Sequence, residues 1–127
     1  MSALVLDAGA FVAVDRGERA MIARLRAAER HGIGLRTSAI VVAQVWLDPA
    51  GRQALLARLL GAVDVRPVDD RLARDAGVLL GRAGTADPID ATAVLVAEAG
   101  DRILTSDPGD LRRLADTAGA RVAVVPC

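Results

Sequence analysis

Two short pieces of the sequence carry the same pattern of carboxylates: Asp87-Pro88-Ile89-Asp90 and Asp107-Pro108-Gly109-Asp110. They lie within DPIDATAVLVAEAGDRILTSDPGD, a stretch of 24 residues with five aspartates and one glutamate. A further aspartate, Asp7, follows the apolar run Ala3–Leu6. Aspartates at Pro-marked helix starts can act as caps, and aspartates brought together can hold a hard divalent cation. The two roles leave different traces in the surrounding sequence.

Asp87 before Pro88 has the form of an N-cap with proline at the first helical position, and Asp107 before Pro108 has the same form. Asp110 then falls where an acid favours the helix dipole and can complete a capping box. Asp90 holds the equivalent position in its own helix, but ATAVLVAEA follows it, so that helix is buried on most sides. A carboxylate at the inner start of a buried helix needs a partner or a metal. Asp7, at the end of a buried strand, is in the same situation. Two such charges held ~4 Å apart repel by about 4 kcal/mol at an effective dielectric near 20. A divalent cation offsets that repulsion, and oxygen ligands select Mg²⁺ or Mn²⁺.

The elements that must position these acids follow from the apolar pattern. Ala3–Leu6 reads as a buried strand, 17–30 as a helix, Ile33–Leu35 as a strand and 39–47 as an apolar helix after Thr37 and Ser38. A helix opening at Pro49 is expected to face Leu55, Leu56, Leu59 and Leu60 inward. Val63–Val68 suits an edge strand that tolerates Pro67. Helices then follow around Leu72–Leu80, from Pro88 and from Pro108, with strands at 102–105 and 121–125. Short apolar strands alternating with helices predict an α/β fold with a mainly parallel sheet, over a single domain spanning 1–127. In such sheets ligands gather at the carboxyl ends of the strands, where Asp7 and Asp107 fall.

Composition narrows the chemistry. Hydrophobic residues make up 53%, which excludes a disordered chain. No apolar run approaches the ~18 residues of a membrane span, and MSALVLDAGAF lacks the form of a secretion signal, so a cytoplasmic location with no membrane partner is expected. The single cysteine, Cys127, supports neither an internal disulfide nor a cysteine zinc site. His31 precedes Gly32 at a helix end and suits the helix dipole there. All 16 cations are arginines. Without lysine there is no Walker A loop, Schiff-base chemistry or Ser-Lys hydrolase, whereas arginine still grips phosphate through its fork.

LVLDAGAFVAV, TSAIVVAQVW and PIDATAVLVAEAGDRILTSDPGDLRRL, in this order, resemble the PIN-domain ribonucleases, and among them the VapC-type toxins of toxin–antitoxin pairs. The resemblance implies a PIN-like three-layer α/β/α domain whose five parallel strands run in the order 3-2-1-4-5. It implies Mg²⁺- or Mn²⁺-dependent cleavage of RNA, with Asp7, Asp90 and Asp107 as catalytic metal ligands. Asp110 and Asp87 stand nearby as supporting candidates. The family's remaining acid, usually glutamate, corresponds here to Gln44, which keeps a carbonyl oxygen and loses the charge. That departure leaves open a PIN-like RNA- or protein-binding module with weak or lost catalysis. A glutamine hydrogen-bonded inside the helix packing is the structural alternative at this position, and Trp46 is expected in the core. The resemblance further implies a homodimer and a cognate antitoxin.

Overall fold

The computed structural model describes residues 2–127, with Pro49 described by its backbone alone. Its strands are β1 (Ala3–Leu6), β2 (Gly34–Ser38), β3 (Val63–Arg66), β4 (Arg102–Thr105) and β5 (Ala123–Pro126). Its helices are α1 (Ala8–Asp15), α2 (Arg19–Arg30), α3 (Ala39–Val45), α4 (Ala54–Gly61), α5 (Asp70–Ala83), α6 (Pro88–Leu95) and α7 (Pro108–Ala118). All strand pairs are parallel, and the order is β3-β2-β1-β4-β5. The sheet is the one expected from the resemblance.

Because side chains alternate along a strand, β1 feeds two cores. Leu4 and Leu6 pack with Phe11, Val14, Leu25, Val41 and Leu56 from α1 to α4. Val5 points the other way, with Ile103, onto Leu79, Ala91, Val94, Leu111 and Leu114 from α5 to α7. Helices cover both faces, so a strand such as ALVL is apolar throughout.

Helix α1 was not legible in the sequence. AGAFVAVD is apolar on nearly every side and offers no polar stripe to mark a helical period. Tertiary packing makes it a helix: Phe11 is fully buried at its centre. Gly17, at φ 74°, ends it in the left-handed region that glycine enters without penalty. The helix expected from Pro49 divides into a 3₁₀ turn (Pro49–Gly51) and α4, and Leu55 is 42% exposed rather than inward. Trp46 is also not core; it is 37% exposed at the end of α3.

The amino edge of the sheet is tied by an ion-pair hub. Buried Asp101 accepts hydrogen bonds from the amides of Ala3 (2.8 Å) and Glu98 (2.7 Å) and from the Arg36 guanidinium. Arg36 also meets Glu98 at 2.6 Å. Burial opposes ionisation of Asp101, but the two amides and Arg36 together hold its carboxyl below the ordinary range. The hub closes one end of the sheet, and the other end carries the acids.

Candidate metal centre

Asp7 extends β1 at the carboxyl edge, where its amide donates to the Leu104 carbonyl at 3.0 Å. Since β1 and β4 are paired in parallel, Thr105 lies beside it. The Thr105 hydroxyl donates to Asp7 Oδ2 at 2.7 Å and accepts from the Asp107 amide at 2.9 Å. One buried hydroxyl therefore fixes the carboxylate of one strand and the backbone that leads to the next acid.

Asp87 and Asp107 share a sequence form but not a role. Asp87 caps α6, accepting from the Ile89 amide at 2.9 Å. Asp107 makes no side-chain cap bond to α7. Its carboxylate is exposed, and partial loss of hydration, followed by the Asp110 charge, raises its pKa.

Asp90 sits in the first turn of α6 and is 7% exposed. It takes part in no ion pair among the described residues. Its pKa is pushed up to about 7, by burial first and then by Asp87, Asp7, Asp107 and Asp110 in turn. The five acids thus share one electrostatic field. Asp90, Asp107 and Asp110 each offer a carboxylate oxygen, and these oxygens lie within 4.8 Å of one another.

Of the acids singled out in the sequence, Asp90 and Asp107 come together with Asp110, which the sequence had suggested only as a supporting residue. Asp7 flanks this trio, close enough to act on Asp90 but tied to Thr105. Gln44 is exposed on α3, so it is not the hydrogen-bonded glutamine inside the packing that the sequence left open. The glutamine with that role is Gln53, which accepts from the Leu47 amide and donates to Asp15 and to the Val45 carbonyl.

Three supporting features escaped the sequence reading. Thr105 is the first, and the Thr-Ser-Asp order at the end of a strand was its only signal. The second is a hydroxyl pair, Ser38 Oγ and Thr92 Oγ1, at 2.8 Å. Thr92 spends its proton on the Ile89 carbonyl, so Ser38 donates, pinning the end of β2 to the first turns of α6 near Asp90. The third is Gly9, where a Cβ would stand 2.7 Å from Ser106 Oγ and 3.0 Å from Ser106 Cβ. Only glycine lets α1 lie this close to the loop that carries Asp107.

The donor set suits a hard cation: carboxylate oxygens, no sulfur or imidazole, and a buried carboxylate in no ion pair among the described residues. Asp90, Asp107 and Asp110 would hold it, with Asp7 alongside.

The chain matches no family model, and no curated protein is similar to it. Its fold is similar to that of several solved structures, two of them matched almost end to end. One is VapBC2 from Rickettsia felis bound to a DNA fragment from their promoter, with a TM-score of 0.71 and 14% identity over 98% of both chains. The other is FitAB bound to an IR36 DNA fragment, with a TM-score of 0.63 and 19% identity over 97% of this chain and 94% of that one. At these identities the likeness is one of fold, and the fold is PIN-like.

Proposed function

We propose that the chain is a metal-dependent endoribonuclease of the PIN/VapC toxin type, hydrolysing RNA phosphodiesters. The observation that carries this reading is Asp90, a buried carboxylate in no ion pair among the described residues, grouped with Asp107 and Asp110 at the carboxyl edge of a PIN-like sheet. Stability alone gives no reason to assemble such a group.

A bound Mg²⁺ or Mn²⁺ would supply Lewis-acid neutralisation of charge on the scissile phosphate and acidify an attacking water. The chain's own residues supply position. Thr105 orients the Asp7 carboxylate, and the Ser38–Thr92 pair steadies the start of α6. Asp90, protonated over part of the neutral range, is available to give up its proton as a cation binds.

The two similar structures are named as two-component assemblies, which supports a cognate antitoxin as partner. A homodimer belongs to the same reading; Ile40, Val65 and Leu47 are among the exposed apolar residues. No helix among the described residues is long and apolar enough to cross a membrane, in keeping with the proposed cytoplasmic site of action. Gln44 favours a second reading: a PIN-like binding module that has given up efficient cleavage.

Cleavage of mixed-sequence RNA with and without Mn²⁺, by the wild type and by Asp90→Asn, tests the proposal. Metal-dependent cleavage that Asp90→Asn abolishes is the expected result. RNA binding without cleavage in any metal would move the assignment to the binding module.

A further inference from the structure

A cavity of about 330 Å³ is lined by Gly9 and Ala13 of α1, by Glu18 with Ala20, Met21 and Arg24 of α2, and by Ser106 and Cys127. That volume is at the lower end of small-ligand sites, about 300–1,000 Å³. Two of its lining residues are close in the chain to the acids: Gly9 is two residues beyond Asp7, and Ser106 immediately precedes Asp107. The Cys127 amide is bonded to the Thr105 carbonyl at 2.9 Å, so the far wall is anchored to the residue that orients Asp7.

We propose that this cavity is the subsite for a nucleotide flanking the scissile phosphate, with the Arg24 guanidinium holding that nucleotide's phosphate. The assignment rests on the nuclease reading above and names which of the arginines meets the substrate. Positions 21 and 24 fall on the same face of α2, so buried Met21 forms the floor while Arg24, exposed, stands at the rim. Arg24 takes part in no ion pair among the described residues and keeps its fork for a ligand. Burial raises the Cys127 thiol pKa most; Arg24 lowers it and Asp7 and Glu18 raise it, so the thiol feels the guanidinium and the carboxylates together. A phosphodiester approaching several carboxylates needs a fixed positive charge on its flank. The apolar floor of Ala13 and Met21 suits a base or sugar. Arg26, two residues along α2, lines a different, apolar groove with Ile22, Leu25 and Leu59, and serves as the control.

Cys127 is the chain's one cysteine and is exposed, so its alkylation reports on occupancy of the cavity. The experiment uses the full chain as Asp90→Asn, a mixed-sequence single-stranded RNA decamer, and iodoacetamide at mildly alkaline pH. Binding is followed in parallel by fluorescence anisotropy. Each variant is compared with itself with and without RNA, because Arg24 also influences the thiol. RNA should slow alkylation several-fold. Arg24→Gln on the same background should remove that protection, weaken binding about tenfold and lower the salt slope by about 0.7. Arg26→Gln should change none of these. RNA that binds with alkylation unchanged overturns the subsite, as do equal losses in the two arginine variants. Absence of RNA binding also overturns it. Protection by RNA in a chain whose wild type cleaves nothing in any metal would leave the subsite standing and sink the nuclease reading alone.

Discussion

Thr105 and Asp7 are 98 positions apart in the chain, and their side chains meet at 2.7 Å through a buried hydrogen bond. The same hydroxyl accepts from the Asp107 amide at 2.9 Å, so the ends of β1 and β4 are held in one geometry by a single oxygen. Replacing Thr105 with valine keeps the shape and removes both bonds, leaving a buried amide and carboxylate unmatched. The expected cost is about 1–3 kcal/mol of stability, with a loss of cleavage larger than the loss of folded protein. Thr105→Ser keeps the hydroxyl and should recover most of both. Chemical denaturation and cleavage rate on the two variants check this.

Asp90 predicts an unusual pH dependence. Its folded pKa of about 7 lies above the ~3.9 of an unfolded aspartate, so between these values the folded chain binds more protons than the unfolded one. Without metal, stability therefore falls as pH rises from about 4 to about 7, by at most about 4 kcal/mol and by less where solvent screens the cleft. Asp90→Asn should flatten that slope and melt above the wild type at neutral pH. Mn²⁺ should raise the wild-type midpoint and leave the variant nearly unchanged. A wild-type midpoint that millimolar metal does not move would end the metal-site reading.

Asp101 predicts the opposite sign. Its pKa is lowered, so the stability it contributes is present above the unfolded value of about 3.9 and is lost as pH falls through the folded one. Removing its charge leaves Arg36 with Glu98 and Asp64 as its remaining anionic partners and weakens the bonds from the Ala3 and Glu98 amides. Asp101→Asn should cost about 1–3 kcal/mol with no specific effect on metal affinity. Melting curves at several pH values, paired with a metal titration, separate the two aspartates.

Gly9→Ala tests the close approach of α1 to the Asp107 loop. Alanine gains up to about 1 kcal/mol in helix propensity, and the contact with Ser106 takes back a similar amount. The melting temperature should change little, while cleavage drops because the loop carrying Asp107 shifts by a few tenths of an ångström. Adding Ser106→Gly should restore the rate.

Gln44→Glu places a carboxylate on an exposed position of α3, so the fold should tolerate it with a change within about 0.5 kcal/mol. If α3 reaches the cation, affinity and cleavage at limiting Mg²⁺ rise together, since charge count sets affinity for hard ions. Isothermal titration on this variant decides whether the missing acid matters. Unchanged affinity would show that the site works, or fails, without α3.

The alternation of short apolar runs and helices, the edge character of Val63–Arg66 and the proline-marked starts of α6 and α7 were all legible in the sequence. So was the convergence of aspartates at one sheet edge, because parallel strands expose their carboxyl ends together. What the sequence alone could not decide was division of labour among identical groups. Asp87 and Asp107 share the Asp-Pro form, yet one caps its helix with its carboxylate and the other does not, while its amide bonds to Thr105. Asp110 joins the trio and Asp7 flanks it for the same kind of reason: the β1–β4 register sets which oxygen meets which. Helix α1 has no polar stripe, so burial against the sheet had to define it. Arg24 lines one cavity with Ser106 and Cys127, a neighbourhood that no local pattern in α2 announces. Periodicity reports which side of an element is buried, and only packing decides which neighbour it is buried against.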